Sequence, residues 1–438
     1  MYSSFTTQLD ALANGGGSLD PMGLYAIADR MATTLVPGVR ERMSNLRYLT
    51  ASAYGAEVCR GISTEPMLQA RLEPYMALEF HLVSGWIQRF DKQEKEITGL
   101  PGIQKSQECY RSTSPKGRLK LNPGRYLKTA SVFGFHGVYR TLATDLRVVD
   151  EHYQLGATGE ALVEQVQRLF ESAGLSWRDH LDLMRRAVRD TCVRGETSRA
   201  WDWNVHGDAA HILKPHYMSR REREILSEVL FSEGQLGRHE LLAFLQSKKG
   251  QEAWTTEDER RVYVAFKESS PSKDTKNIVE AILAFEAMAK LLHDAFHQVL
   301  SKVEQGSLVK TKQLLSLTAV SLAAREVGGR YQEVLETMSG AGMEAERLRI
   351  EGSFAEFGSL DGDAEVFLDA MIHHHQDVQK SKGRNGKQAW IRRSEDDRWY
   401  ADVLGRSEQV EVETNAFVHQ YRIRPLMSFL QTLGHVAG

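Results

Sequence analysis

The 438-residue chain is poor in cysteine, in long apolar runs and in net charge, and each shortage narrows what it can be. Cys59, Cys109 and Cys192 are far apart and match no metal-ligand spacing, which argues against a cysteine-held metal and fits reduced thiols in a cytoplasmic compartment. No run approaches the roughly 18 apolar residues that a membrane-spanning helix needs. The first eighteen residues, MYSSFTTQLDALANGGGS, lack the basic stretch and apolar core of a secretory signal. Their glycines, from Asn14 to Ser18, follow no strand and precede no lysine, so they are read as a mobile leader and not a phosphate loop. Walker A, Rossmann and Gly-x-Ser-x-Gly signatures are absent, as are internal repeats and low-complexity tracts. A formal net charge of −3 excludes a surface that is basic all over.

What is present is helical periodicity in a chain long enough for two to four domains. Asp20 and Pro21 form an N-cap and first-turn pair ahead of Leu24, Ile27 and Met31, and Pro37 stops that helix. A second helix is predicted from Val39 to Ile62. A third opens at Thr64 and Pro66 and carries Leu72, Leu82, Trp86, Ile87 and Phe90 on one face before Gly99–Gly102 breaks the chain. Ser219 with Glu222 makes a capping box, and residues 276–303 give the longest helical pattern, read as a spine. The pattern predicts a mainly α, multi-domain protein. Its expected divisions are an N-terminal helical domain over 1–104, a winged-helix-like domain over 105–175, a central helical domain over 176–345, and a C-terminal helix–hairpin–helix domain over 346–438.

The positive charge is uneven. Residues 116–147 hold seven Lys and Arg against one acid, and residues 380–393 hold six against none, so the rest of the chain carries −15. Local anion-binding surfaces on an acidic molecule are the expected result. In the first cluster, Phe135, Val138, Tyr139, Leu142 and Leu146 mark one face of a helix over 131–145, although Gly134 and Gly137 each cost about 1 kcal/mol inside it and favour a later start. Its opposite face carries His136, Gly137, Arg140, Thr141 and Thr144. Residues 147–149 and 152–155 have strand composition around an Asp150-Glu151 turn, and a second helix follows from Gly159. This helix, hairpin and helix, ending in YQLGATGEALVEQV, resembles the winged helix-turn-helix of bacterial transcription regulators over about residues 106–172. The resemblance implies duplex DNA as a ligand, with phosphate contacts from Lys116, Arg118, Lys120, Arg125, Lys128, Arg140 and Arg147 and with His136 facing the groove.

The second cluster is read as a looser copy of the same design. Lys380, Lys382, Arg384 and Lys387 lead into a hairpin containing Trp390, Arg392, Arg393 and Trp399, where interleaved basic and aromatic groups suit phosphates and unstacked bases. Metal-ligand candidates are fewer. His206, Asp208 and His211 form a set flanked by Trp201 and Trp203, whereas the adjacent His373, His374 and His375 diverge by about 100° on a helix, so that at most one joins Asp377. Arg147 and His152 match the Arg-x4-His spacing of HEPN-type RNases, but that family places the motif on a helix with a polar residue after the Arg, where Val148 stands here.

Three stretches, GLYAIADRMATTLVPGVRERMSNLRYLT, YLKTASVFGFHGVYRTLA and HHHQDVQKSKGRNGKQAWIRR, are similar to uncharacterised helical proteins of bacterial antiphage defence islands. That similarity implies a subunit working beside a helicase, ATPase or nuclease. The function expected is a non-enzymatic, DNA-binding scaffold subunit without a cofactor. A metal-dependent nuclease and a pure protein-interaction module are the alternatives.

Overall fold

The computed structural model describes residues 20–62, 72–90, 97, 99–112, 119–127, 129–197, 203–305, 308–383, 386–394, 396–402, 405–410, 412 and 416–436; the side chains of 203–206 and 305 are outside the description. Among the described residues there are nineteen helices and three short strands, so the molecule is mainly α as its periodicity predicts. None of these helices is long and apolar enough to cross a membrane. The Gly-rich start, the Thr64-Pro66 opening and Trp201 lie outside the described residues.

The chain runs through α1 (Tyr25–Leu35), α2 (Arg47–Cys59), α3 (Pro74–Phe90), α4 (Ile103–Ser112), α5 (Ala130–Phe133), α6 (Phe135–Asp145) and α7 (Ala157–Ser172). It continues through α8 (Trp177–Arg194), α9 (Trp203–Ile212), α10 (Arg220–Leu230), α11 (Leu236–Gln246), α12 (Lys248–Trp254), α13 (Glu259–Glu268) and α14 (Lys273–Gln305). After β1 (Val309–Lys310) come α15 (Thr311–Leu315), α16 (Thr318–Gly340), α17 (Glu344–Gly358) and α18 (Ala364–Ser381). The hairpin β2 (Ile391–Arg393) and β3 (Arg398–Ala401) precedes α19 (Ile423–Leu433).

These elements form two compact units, and neither is continuous in sequence. The first joins the described residues up to Val36 to Ala243–Ile423, and the second joins Pro37–Leu242 to the residues from Arg424 onward. This division differs from the four-way one expected at 104, 175 and 345.

In the first unit α14 is the spine. Its 33 residues extend about 50 Å at 1.5 Å per residue. Ile282, Phe285, Met288, Leu292, Phe296, Val299 and Val303 are buried along it, and each large apolar side chain so removed from water contributes about 1.5–3 kcal/mol. α16 packs along α14, and α1 packs on α14 and α17. The start of α1 shows local chemistry winning at a displaced position. Gly23 turns into the left-handed region at φ 73°, so the helix begins at Tyr25 and not at Pro21. Asp20 still caps it, accepting the backbone N–H of Leu24 at 3.1 Å and of Tyr25 at 2.9 Å.

The hairpin expected after α18 is present. β2 pairs antiparallel with β3 in the register Ile391 to Ala401, Arg392 to Tyr400 and Arg393 to Trp399, and β1 adds to the other edge through Val309 and Trp399. Trp390 and Trp399 are buried. Trp390 packs near Phe296 and His375, and the Trp399 indole donates to Thr311 Oγ1 at 2.9 Å. These rings therefore belong to the core, which withdraws them from the base-stacking role anticipated for the second basic cluster.

In the second unit, Tyr48 of α2 stacks on Phe135 of α6 with ring centroids 5.3 Å apart, and Trp86 of α3 lies 5.7 Å from Phe135. The Tyr139 hydroxyl accepts the N–H groups of Ser44 and Asn45 at 2.8 and 2.7 Å, which fixes α6 against the entry to α2. The capping box predicted for α10 is present: Ser219 Oγ accepts from Glu222 N–H, and the Glu222 carboxylate accepts from Ser219 N–H at 2.8 Å. Glu222 also pairs with Arg47 at 3.1 Å, both groups being buried.

Candidate functional site

The first basic cluster is organised by a residue that amphipathic periodicity passes over. Glu79 of α3 is fully buried, and it accepts the N–H of Phe135 at 3.1 Å and of His136 at 3.2 Å. Its carboxylate also takes the Tyr126 hydroxyl and His136 Nδ1 in short hydrogen bonds. The helix expected over 131–145 is broken at Gly134, whose extended backbone separates α5 from α6 and leaves the first N–H groups of α6 pointing at Glu79. An anion is favoured there, because those N–H groups have no partner within the helix. Burial, and then the Glu79 charge, hold the Tyr126 hydroxyl protonated well above its ordinary range. One carboxylate thus ties the basic arm around Tyr126 to the first turn of α6.

Beyond α6 the chain makes a tight turn in place of the anticipated two-strand wing. Val149 and Leu155 form a single antiparallel bridge. Asp150 Oδ1 accepts the N–H of His152 and of Gln154, each at 2.8 Å, closing the turn. Arg147 and Tyr153 adopt left-handed φ values of 53° and 58°. The Arg147 carbonyl accepts the N–H of Thr158 at 3.1 Å and of Gly159 at 3.3 Å, docking the start of α7 on the turn. Arg140 donates to the Glu151 carbonyl at 2.9 Å and lies over the Tyr153 ring at 5.1 Å.

Of the residues expected to meet phosphate, Arg125, Arg140 and Arg147 are exposed. Lys120 is half-buried and pairs with Glu196 at 2.8 Å. Lys116, Arg118 and Lys128 lie outside the described residues. His136 is buried against Glu79, so it does not face a groove; the helix starts at Phe135, and the carboxylate draws its first turn inward. Three cations of the second cluster are matched by acids. Lys380 pairs with Asp377 at 2.9 Å, Arg392 with Asp402, and Arg393 with Asp397 and Asp369. Lys382 donates to the Asp20 carbonyl, and burial lowers its basicity. Lys387 is half-buried with its N–H on the Gln379 carbonyl, and Arg384 is outside the described residues.

The expected metal sets do not assemble among the described groups. Asp208 and His211 lie on α9, but the His206 side chain is outside the description. Burial, with the positive Arg89 and Lys214, pulls His211 below its ordinary value, an environment that also disfavours a cation. His374 and His375 are structural. The first meets the Met22 carbonyl at 2.8 Å; the second meets the Pro21 carbonyl at 2.9 Å and accepts the Trp390 N–H at 2.9 Å. His373 is exposed between Glu356 and Asp377, each 3.6 Å away.

A different cluster forms in the first unit. His293 and His297, one turn apart on α14, come together with Glu408, with one ligand atom from each lying within 4.8 Å of the others. Burial, assisted by His293, lowers His297 to about 4. Reading 276–303 by its apolar side chains hides this pair, although the i, i+4 spacing of two histidines is visible in the sequence. Glu408 lies more than a hundred residues away, and no local pattern announces it. Compared with protein-family models, curated proteins and solved structures, the chain matches none.

Proposed function

We propose that this chain is a non-enzymatic, DNA-contacting scaffold subunit, with duplex DNA held along the arm and α6–turn–α7 region of the second unit. The observation that carries the reading is the Glu79 junction, which holds the basic arm and the first turn of α6 on one buried carboxylate. Arg125, Arg140 and Arg147 remain exposed around it and supply charge for phosphate oxygens. The acid pairing of the second cluster favours the first as the contact surface. The similarity to defence-island proteins supports a partner helicase, ATPase or nuclease in a bacterial antiphage complex.

The test is salt-dependent binding to duplex DNA. With six to seven phosphates engaged, log affinity should fall with log salt at a slope of about −5 to −6. The triple variant Arg125→Gln, Arg140→Gln, Arg147→Asn should flatten that slope by about 2.7, at 0.9 per lost contact; Asn is chosen at position 147 because it tolerates left-handed φ. A slope unchanged by the triple variant, or no salt dependence at all, rejects the reading and leaves the region as a protein-docking surface.

A further inference from the structure

The His293, His297 and Glu408 cluster plays no part in the DNA reading. The two histidines leave the same face of a long, well-packed helix, and their ring centroids are 4.4 Å apart. Glu408 Oε2 lies 3.4 Å from His293 Nε2, close to the separation of about 3.4 Å that two ligands 2.0–2.1 Å from a tetrahedral ion adopt.

We propose that His293, His297 and Glu408 form a binding site for a divalent transition-metal ion, zinc above others. Two imidazoles and one carboxylate suit zinc, whereas calcium and magnesium take oxygen ligands. Outer contacts match the same role. Asp294 Oδ1 is 3.2 Å from His293 Nδ1, which orients that ring with Nε2 towards Glu408 and the ion. The segment bearing Glu408 is anchored through Glu304, which accepts the Arg406 N–H at 3.0 Å and the Ser407 hydroxyl at 2.6 Å. His297 Nδ1 accepts the Glu408 N–H at 3.1 Å. Binding exchanges that bond, by ring rotation or amide displacement, for three bonds to the ion. Three protein ligands leave a fourth position open, and His293, Asp294 and Glu408 line an open groove of about 840 Å3 from which water or a ligand can fill it.

The test uses the full chain, stripped with a chelator and titrated with zinc by calorimetry and with cobalt(II) by absorption spectroscopy. One zinc ion per chain is expected. His293→Ala and Glu408→Gln, both at positions that are not buried, should each weaken binding about tenfold or more and abolish the cobalt ligand-field bands, while His211→Ala leaves both unchanged. Circular dichroism confirms that the variants fold. Zinc binding unaffected by His293→Ala and Glu408→Gln, or no zinc bound by the wild-type chain, overturns the proposal, and neither result bears on DNA affinity.

Discussion

His375 shows how one side chain can fix its own protonation state. Its neutral form donates from Nδ1 to the Pro21 carbonyl and accepts the Trp390 N–H at Nε2, so a second proton would cost a buried hydrogen bond. Burial lowers its value to about 4 from an ordinary 6.5. Below pH 6.5 the unfolded chain takes up a proton that the folded chain refuses, so this stabilisation is complete above 6.5 and is lost as pH falls towards 4. At 1.36 kcal/mol per unit the loss is on the order of 3 kcal/mol, and His374, also lowered by burial, adds in the same direction. An NMR titration in which His375 protonates near 6.5 would contradict this. At this scale the sequence was legible where chemistry is local: Ser219 and Glu222 cap as their spacing predicts, whereas Asp20 serves a helix that begins at Tyr25 in place of Pro21. It was illegible where a polar group serves residues far away. Glu79 sits within an apolar helix pattern and shows its role only when Tyr126 and α6 fold onto it.

The join between the turn and α7 depends on a backbone approach that only glycine allows. A Cβ on Gly159 would lie 2.0 Å from the Val148 carbonyl oxygen and 2.9 Å from Leu155 Cδ2. Gly159→Ala should destabilise the second unit by about 2 kcal/mol or more through this overpacking. Gly329 in α16 is exposed and would meet nothing within 4 Å, so Gly329→Ala should stabilise by about 0.5–1 kcal/mol. Urea midpoints compare the two, and equal shifts would show that helix propensity and not the Val148 contact decides. Periodicity located helices such as α7 and α14 because their pattern repeats over many residues, and the interleaved basic and aromatic groups located the short β2–β3 hairpin. It over-read residues 147–155 as two strands, since β-branched composition does not distinguish a ladder from one bridge. It missed β1, whose two residues carry no period.

For the whole molecule, the sequence gives no hint that each unit borrows a distant segment. α1 buries Ile27, Met31 and Leu35 within the first unit, where it packs on α14 and α17. A fragment of residues 243–423 should therefore bind a synthetic 20–36 peptide and gain thermal stability with peptide concentration, as a ligand of the folded state does. The same peptide carrying Met31→Asp should leave the midpoint unmoved, and a fragment indifferent to both peptides would rule out this dependence. The pairing of Asp29 with Arg422 closes a span of 393 residues, for which the loop-closure entropy is about 5 kcal/mol. On the ribosome, α1 is made well before α14 and α17 and must wait, its apolar face unsatisfied, until residues near 358 have been made. Through most of translation the nascent chain therefore displays a sticky helix with nowhere to dock, which makes chaperone attendance and the pace of elongation decisive for its yield.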